Sequence, residues 1–235
     1  MFFQTTITWI LQLLARIPEA MLIGFLLNRK IRGREFVREA ERIQRKQKVG
    51  VIFAMNHEST FDPIIFLPGI SPFSNLAPMF YMVRSGRKYK NEVASMWQKF
   101  LYGELFFFAW GGIVANPGHA DYDTTLAQHI KFLKAGKSLC IFPEGKIQRE
   151  SDRGEARGGI TFLAEQTGAL IVPVHIGGIK NLKEEEFWAR SRRTTITFGK
   201  PFFLSEFEPY DKGDIAHFRA LSEKILDRIY GIANL

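Results

Sequence analysis

The chain is poor in cysteine, in acid and in long uninterrupted apolar runs. Cys140 is the one cysteine in 235 residues, which excludes an internal disulfide and fits a reducing compartment. Asp and Glu number 24 against 32 Lys and Arg, leaving a formal net charge of +8. Such an excess calls for an anionic partner. Paired stacking aromatics and zinc-finger spacing are both missing, which argues against nucleic acid, while 22 phenylalanines tilt the choice towards a lipid surface. The five histidines, His57, His119, His129, His175 and His217, show no ligand spacing, so no metal is expected. No internal repeat, low-complexity tract or linker is visible.

The apolar stretches Phe2–Ala15 and Ala20–Leu27 are separated by Arg16, Pro18 and Glu19. Neither reaches the roughly 20 residues that a spanning helix needs. A signal peptide is not expected either, because no basic segment precedes the first run and no small-residue cleavage site follows it. Two short helices lying in the interface, or a re-entrant hairpin, are the expectation for a membrane-associating segment over residues 1–28. Behind it come Arg29, Lys30, Arg32, Arg34, Arg38, Arg42, Arg45, Lys46 and Lys48. On an anionic membrane these would contribute about 1 kcal/mol per well-placed charge. The plainer alternative for each of them is a solvated helix face.

From Lys48 onward, strand-like and helix-like segments alternate. Val49–Met55, Gly112–Ala115, Ser138–Phe142, Leu170–Ile176 and Thr194–Phe198 read as strands. Pro63–Leu67 starts a helix, and Glu92–Trp110, Tyr122–Leu133, Gly159–Gln166 and Ile215–Tyr230 read as helices. This alternation predicts an α/β fold, a single domain over residues 29–235 with a mixed, largely parallel sheet flanked by helices.

Two stretches carry chemistry. Asn56-His57-Glu58-Ser59-Thr60-Phe61-Asp62-Pro63 follows an apolar strand and places an imidazole and a carboxylate with four residues between them. The carboxylate can fix the tautomer of the ring and raise its basicity. No serine or cysteine nucleophile stands beside the pair, so the hydroxyl to be activated is expected to arrive with the substrate. Asp62 before Pro63 is also a good start for a helix. In the second stretch, Cys140 to Arg149, a strand breaks at Pro143 and is followed by Glu144 and Gly145. Ligands of open α/β sheets lie at such carboxyl ends. There a carboxylate can accept from a polyol, and a guanidinium can grip a phosphate. Cys140 itself lies inside an apolar strand and is expected to pack rather than react.

Taken together these residues resemble the glycerolipid acyltransferases of the bacterial 1-acyl-sn-glycerol-3-phosphate acyltransferase type. His57 and Asp62, with Asn56 and Ser59, match that family's Asn-His-x-Ser-x-x-Asp motif. Phe142-Pro143-Glu144-Gly145 matches its Phe-Pro-Glu-Gly block, with Arg149 on the second basic position, and Val172-Pro173-Val174 matches a later block. Ile31-Arg32-Gly33-Arg34-Glu35 resembles the lead-in, and the likeness runs over residues 31–205. Two departures stand out. Gly111 to Gly118 lacks the arginine of the family's second block, and Lys146-Ile147-Gln148-Arg149 replaces Thr-Arg-Ser-Arg in the third.

The resemblance implies transfer of a fatty acyl group from acyl-CoA or acyl carrier protein to the free hydroxyl of a lysophospholipid, 1-acyl-glycerol 3-phosphate above all. It implies no other cofactor. His57 and Asp62 would be catalytic. Asn56, Ser59, Glu144, Gly145, Lys146, Arg149 and Pro173 would bind substrate. An anionic membrane surface would be a partner, with the protein peripheral or monotopic on the cytoplasmic face of the cell membrane. The aromatics Phe106–Trp110 would either line an acyl channel or simply pack. Two alternatives stay open: the same chemistry on glycerol 3-phosphate, another lysophospholipid or an aminolipid, and a non-catalytic lipid-binding protein of the same fold.

Overall fold

Five consecutive apolar residues, Val51–Met55, form a strand buried on both faces, as a continuous apolar run in a parallel sheet requires. In the computed structural model of the protein, this strand, β2, is the centre of a seven-stranded sheet. The structure describes residues 1–84, 104–115, 121–148, 153–207 and 215–233. The other strands are β1 (Lys30–Arg32), β3 (Met79–Arg84), β4 (Gly112–Ala115), β5 (Ser138–Ile141), β6 (Leu170–Gly177) and β7 (Thr195–Phe198). Their order is β1-β7-β6-β2-β5-β3-β4, and every pair is parallel except β6 with β7. The expected mixed, largely parallel sheet is therefore present.

Alternation along β2 splits the core in two. Ile52 and Ala54 face α5 (Tyr122–Lys134), α6 (Gly159–Thr167) and α8 (Ile215–Gly231). Val51, Phe53 and Met55 face α2 (Arg34–Gln47) and the segment after α3 (Asp62–Ile65). Two shorter helices are also present among the described residues, α4 (Glu104–Trp110) and α7 (Glu184–Trp188). Gly33, at φ 74°, starts α2 where any Cβ would meet the Phe198 carbonyl oxygen at 2.0 Å. The remaining part of the helix expected from Glu92 lies outside the described residues.

The N-terminal expectation of two short helices is corrected. α1 (Phe2–Pro18) runs on through a π-helical turn, Glu19–Ile23, into Gly24–Leu26. Pro18 deletes one amide donor, and the wider turn after it absorbs the misfit, so the chain continues rather than breaks. By length and composition Phe2–Leu26 could cross a membrane, yet it carries a polar stripe that docks on the domain. Gln12 donates to the Met79 and Trp110 carbonyls and accepts from the Met79 amide, so its side chain substitutes for a strand partner. Gln4 donates to Phe108 and Gly112, and Arg16 to Leu67 and Ile70. The opposite face leaves Phe2, Phe3, Leu14, Ile17, Met21 and Phe25 exposed. The basic run that follows is β1 and α2. Val37, Ala40 and Gln44 are buried in it, while Arg34, Arg38, Arg42 and Arg45 point to solvent.

Candidate active site

The site is assembled by two loops at neighbouring strand ends. β2 delivers Asn56 and His57, and β5 delivers Phe142, Pro143 and Glu144, because the two strands run parallel side by side. Asp62, the first residue of α3, folds its carboxylate back under the loop. Its Oδ2 accepts from His57 Nδ1 at 2.9 Å, from the Glu58 amide at 2.8 Å and from the Ser59 amide at 2.9 Å. With a carboxylate as its partner, Nδ1 carries the proton, and Nε2 is left as the basic nitrogen. Burial pushes the Asp62 carboxyl above the usual range, and the three donors pull the other way. The imidazole lies flat on Phe142, ring centroids 3.9 Å apart, which holds the ring in plane.

The Pro143–Gln148 loop grips the backbone of His57 on both sides. Glu144 Oε2 accepts from the His57 amide at 3.0 Å, and the Gln148 amide donates to the His57 carbonyl at 2.9 Å. Glu144 Oε1 accepts from the Gly154 amide at 2.7 Å and from the Tyr230 hydroxyl at 3.0 Å. Gly145, at φ 65°, makes the turn that carries the loop past the histidine.

His57 opens onto a cleft of about 1130 Å³. Apolar side chains, among them Met82, Val83, Phe107, Leu126 and Ile160, form much of its wall, and Lys146, Arg153, Arg157 and Arg219 bring positive charge to it. Arg153 is held by Glu223 and Asp227 of α8. A second cavity of about 390 Å³ lies behind the loop and shares Thr60 and Ile147 with the first. Glu58 lines it, accepting from the Ile179 and Lys180 amides. Burial, with Asp62 nearby, pushes the Glu58 carboxyl up to about 7.

The expected site residues divide accordingly. His57, Asp62, Gly145 and Lys146 come together at the cleft or directly beneath it. Glu144 also lines the cleft, and among the described residues three protein donors bond its carboxylate, so it braces the loop. Asn56 is fully buried, with both ends of its amide spent on the Ile176 backbone at 2.7 Å, and does not face the cleft. Ser59 turns to the smaller cavity, and its hydroxyl accepts from the Phe61 amide. Pro173 lines neither cavity. It is buried in β6 where pairing with the next segment is interrupted between Phe198 and Phe202, and its missing amide is therefore harmless. Arg149 and the second-block positions from Asn116 to Gly118 lie outside the described residues. Of the aromatic run, Phe107 reaches the cleft, whereas Phe106 stacks on Trp110. Cys140 is fully buried, and its thiol is pushed well up by that burial. Sequence reasoning gave no role to Glu58, although it follows His57 directly, nor to Gln148 and Tyr230, which no spacing joins to the histidine. Among the described residues no three His, Cys, Asp or Glu side chains gather as a metal would need.

Comparison with known proteins follows the same lines. The chain is 22% identical over 178 residues, 72% of its length, to a Mycoplasma pneumoniae protein named as a probable 1-acyl-sn-glycerol-3-phosphate acyltransferase. The match spans 63% of that curated relative's own length. The crystal structure of the 1-acyl-sn-glycerophosphate acyltransferase PlsC from Thermotoga maritima superposes with a TM-score of 0.56 at 14% identity, over 95% of this chain and 79% of that one. It shares the fold. The family model described as Acyltransferase matches residues 29–177, a span that includes His57, Asp62 and the Phe142–Gln148 loop. The chain belongs to the acyltransferase family.

Proposed function

We propose that this protein transfers a fatty acyl group from a thioester, of coenzyme A or of acyl carrier protein, to the free hydroxyl of 1-acyl-glycerol 3-phosphate. The observation that carries the proposal is the His57–Asp62 pair at the head of a large cleft whose described walls hold neither serine nor cysteine. His57 Nε2 takes the proton of the acceptor hydroxyl as its oxygen attacks the thioester carbonyl. The carbon–sulfur bond then breaks, and the imidazolium returns the proton to the leaving thiolate. Asp62 stabilises the imidazolium between the two steps. No acyl-enzyme forms. The apolar wall suits an acyl chain, and Lys146, Arg157 and Arg219 suit the acceptor's phosphate.

The outward apolar row of α1 supports a seat on a membrane surface, since a contiguous apolar face of this size marks a lipid or protein contact. Polar docking of its other face favours a helix lying in the interface over one crossing the bilayer. In this reading the protein works at the cytoplasmic face of the cell membrane. A second acceptor reading rests on one observation, the absence of arginine in Gly111 to Gly118, and allows glycerol 3-phosphate or another lysolipid in the same chemistry.

Purified His57→Ala, offered labelled acyl-CoA and 1-acyl-glycerol 3-phosphate, should lose at least about a hundredfold in turnover with its circular dichroism unchanged. Near-normal turnover would end the assignment. Mass spectrometry of products from mixed lysolipids separates the two acceptor readings.

A further inference from the structure

Helix α8 lies outside the residues that the family model covers, yet one face of it is built into the site. Glu223, Asp227 and Tyr230 are spaced at i, i+4 and i+7, which places all three on one side of the helix. Glu223 and Asp227 take the Arg153 guanidinium at 2.8 and 2.6 Å, and Glu223 also accepts from the Ala156 amide. Tyr230 donates its hydroxyl to Glu144 Oε1 at 3.0 Å. The other oxygen of that carboxylate accepts from the backbone of His57. Glu144 is 2% exposed, so its charge rests on the donors the protein supplies and not on water.

We propose that Tyr230 is a positioning residue for the catalytic base, acting through Glu144 on the backbone of His57. The inference rests on acyl transfer at His57. The Glu144 carboxylate has two oxygens and, among the described residues, three donors. Two of these are amides in the loops it joins, and Tyr230 is the one donor of the three that comes from a packed helix. Ile225 and Leu226, both fully buried, fix α8 against the sheet. Tyr230 therefore transfers the rigidity of the core to a carboxylate that would otherwise move with the loops. The phenol suits the task. Burial and the neighbouring carboxylate push its ionisation up, so it remains a donor throughout the neutral range. Its ring is also braced edge-on by His175, centroids 5.6 Å apart.

The test is a cycle of Tyr230→Phe, Glu144→Gln and the double variant, with Ile229→Val as a control on the same helix. Tyr230→Phe should lower kcat roughly tenfold, the scale of one hydrogen bond to a charged group, with little change in KM. In the double variant the loss should match that of Glu144→Gln alone, because the proposed route from the hydroxyl to His57 runs through that carboxylate. Ile229→Val should lower the unfolding midpoint and leave kcat within about twofold. An unchanged kcat in Tyr230→Phe, losses that multiply in the double variant, or an equal loss in Ile229→Val would each overturn the proposal. Wild-type turnover decides the acyl-transfer reading separately. A substrate-free readout is carbethoxylation of His57 by diethyl pyrocarbonate, followed by peptide mass spectrometry. A rate altered in Tyr230→Phe supports the proposal, and a rate equal to wild type overturns it.

Discussion

Replacing Asp62 by asparagine separates the charge of the dyad from its shape. The asparagine oxygen can take the place of Oδ2 and keep all three donors, His57 Nδ1 and the amides of Glu58 and Ser59. Its amide nitrogen then falls where Oδ1 now lies, a buried atom with no hydrogen-bond partner among the described residues. The reverse orientation would set N–H groups against three N–H donors and is excluded. The tautomer of His57 and the loop geometry are therefore retained, at a stability cost of about 1–3 kcal/mol for the unpaired amide group. What disappears is the attraction between carboxylate and imidazolium. With charge centres about 4 Å apart and an effective dielectric of about 20, that attraction is about 4 kcal/mol. The barrier rises by nearly this amount, because the imidazolium exists only after proton transfer, and kcat should fall about a thousandfold. KM for the lysolipid should hardly move. The assay is steady-state transfer of labelled acyl groups into phosphatidic acid, with an urea unfolding curve for the same preparation. A folded Asp62→Asn protein working within tenfold of wild type would refute the role given to the charge.

Three further outcomes are expected. His129 is fully buried on α5, and burial holds its imidazole neutral down to about 4 from an ordinary 6.5. The unfolded chain takes up that proton from pH 6.5 downward and the native protein does not. Stability should therefore fall by up to about 3 kcal/mol as the pH drops to 4, and His129→Gln should remove that slope in urea titrations at several pH values. An identical slope in the variant refutes the assignment. Gln12→Leu strips the Met79 amide and two carbonyls of their partner and should cost about 2–4 kcal/mol of unfolding free energy. A variant as stable as wild type would show α1 to be a loosely held appendage. Leu14→Glu with Ile17→Glu and Met21→Glu, all on the outward face, should weaken binding to anionic vesicles by at least roughly a hundredfold without lowering the unfolding midpoint. Undiminished vesicle binding would place the membrane contact elsewhere.

Local patterns in the chain were enough for the strands and helices with a clean period. β2, β4, β5, β6 and β7 and helices α5, α6 and α8 lie within a residue or two of their expected bounds, because each carries either an unbroken apolar run or one apolar face. β1, β3 and α7 were not legible. β1 has three residues with two basic side chains, and it counts as a strand only because β7 supplies its partner. β3, Met79–Arg84, is apolar and aromatic without a period of its own, so pairing with β4 and β5 decides its form. Pro18 would break an isolated helix, and the π-helical turn after it depends on contacts that α1 makes with the domain.

At the site the division is sharper. His57 and Asp62 were determined by the sequence alone, since the atoms that make the dyad are joined by one short loop that closes on itself. The same holds for the turn at Gly145, where a positive φ selects glycine. Only the tertiary structure decided what Glu144, Asn56 and Pro173 do, because a side chain between two strands can serve a ligand or a neighbour, and burial settles which. Asn56 pairs with Ile176 from 120 residues away, and Tyr230 reaches Glu144 across 86. Contacts of that range leave no mark on local spacing, and they arise only when the sheet brings distant strand ends to one edge.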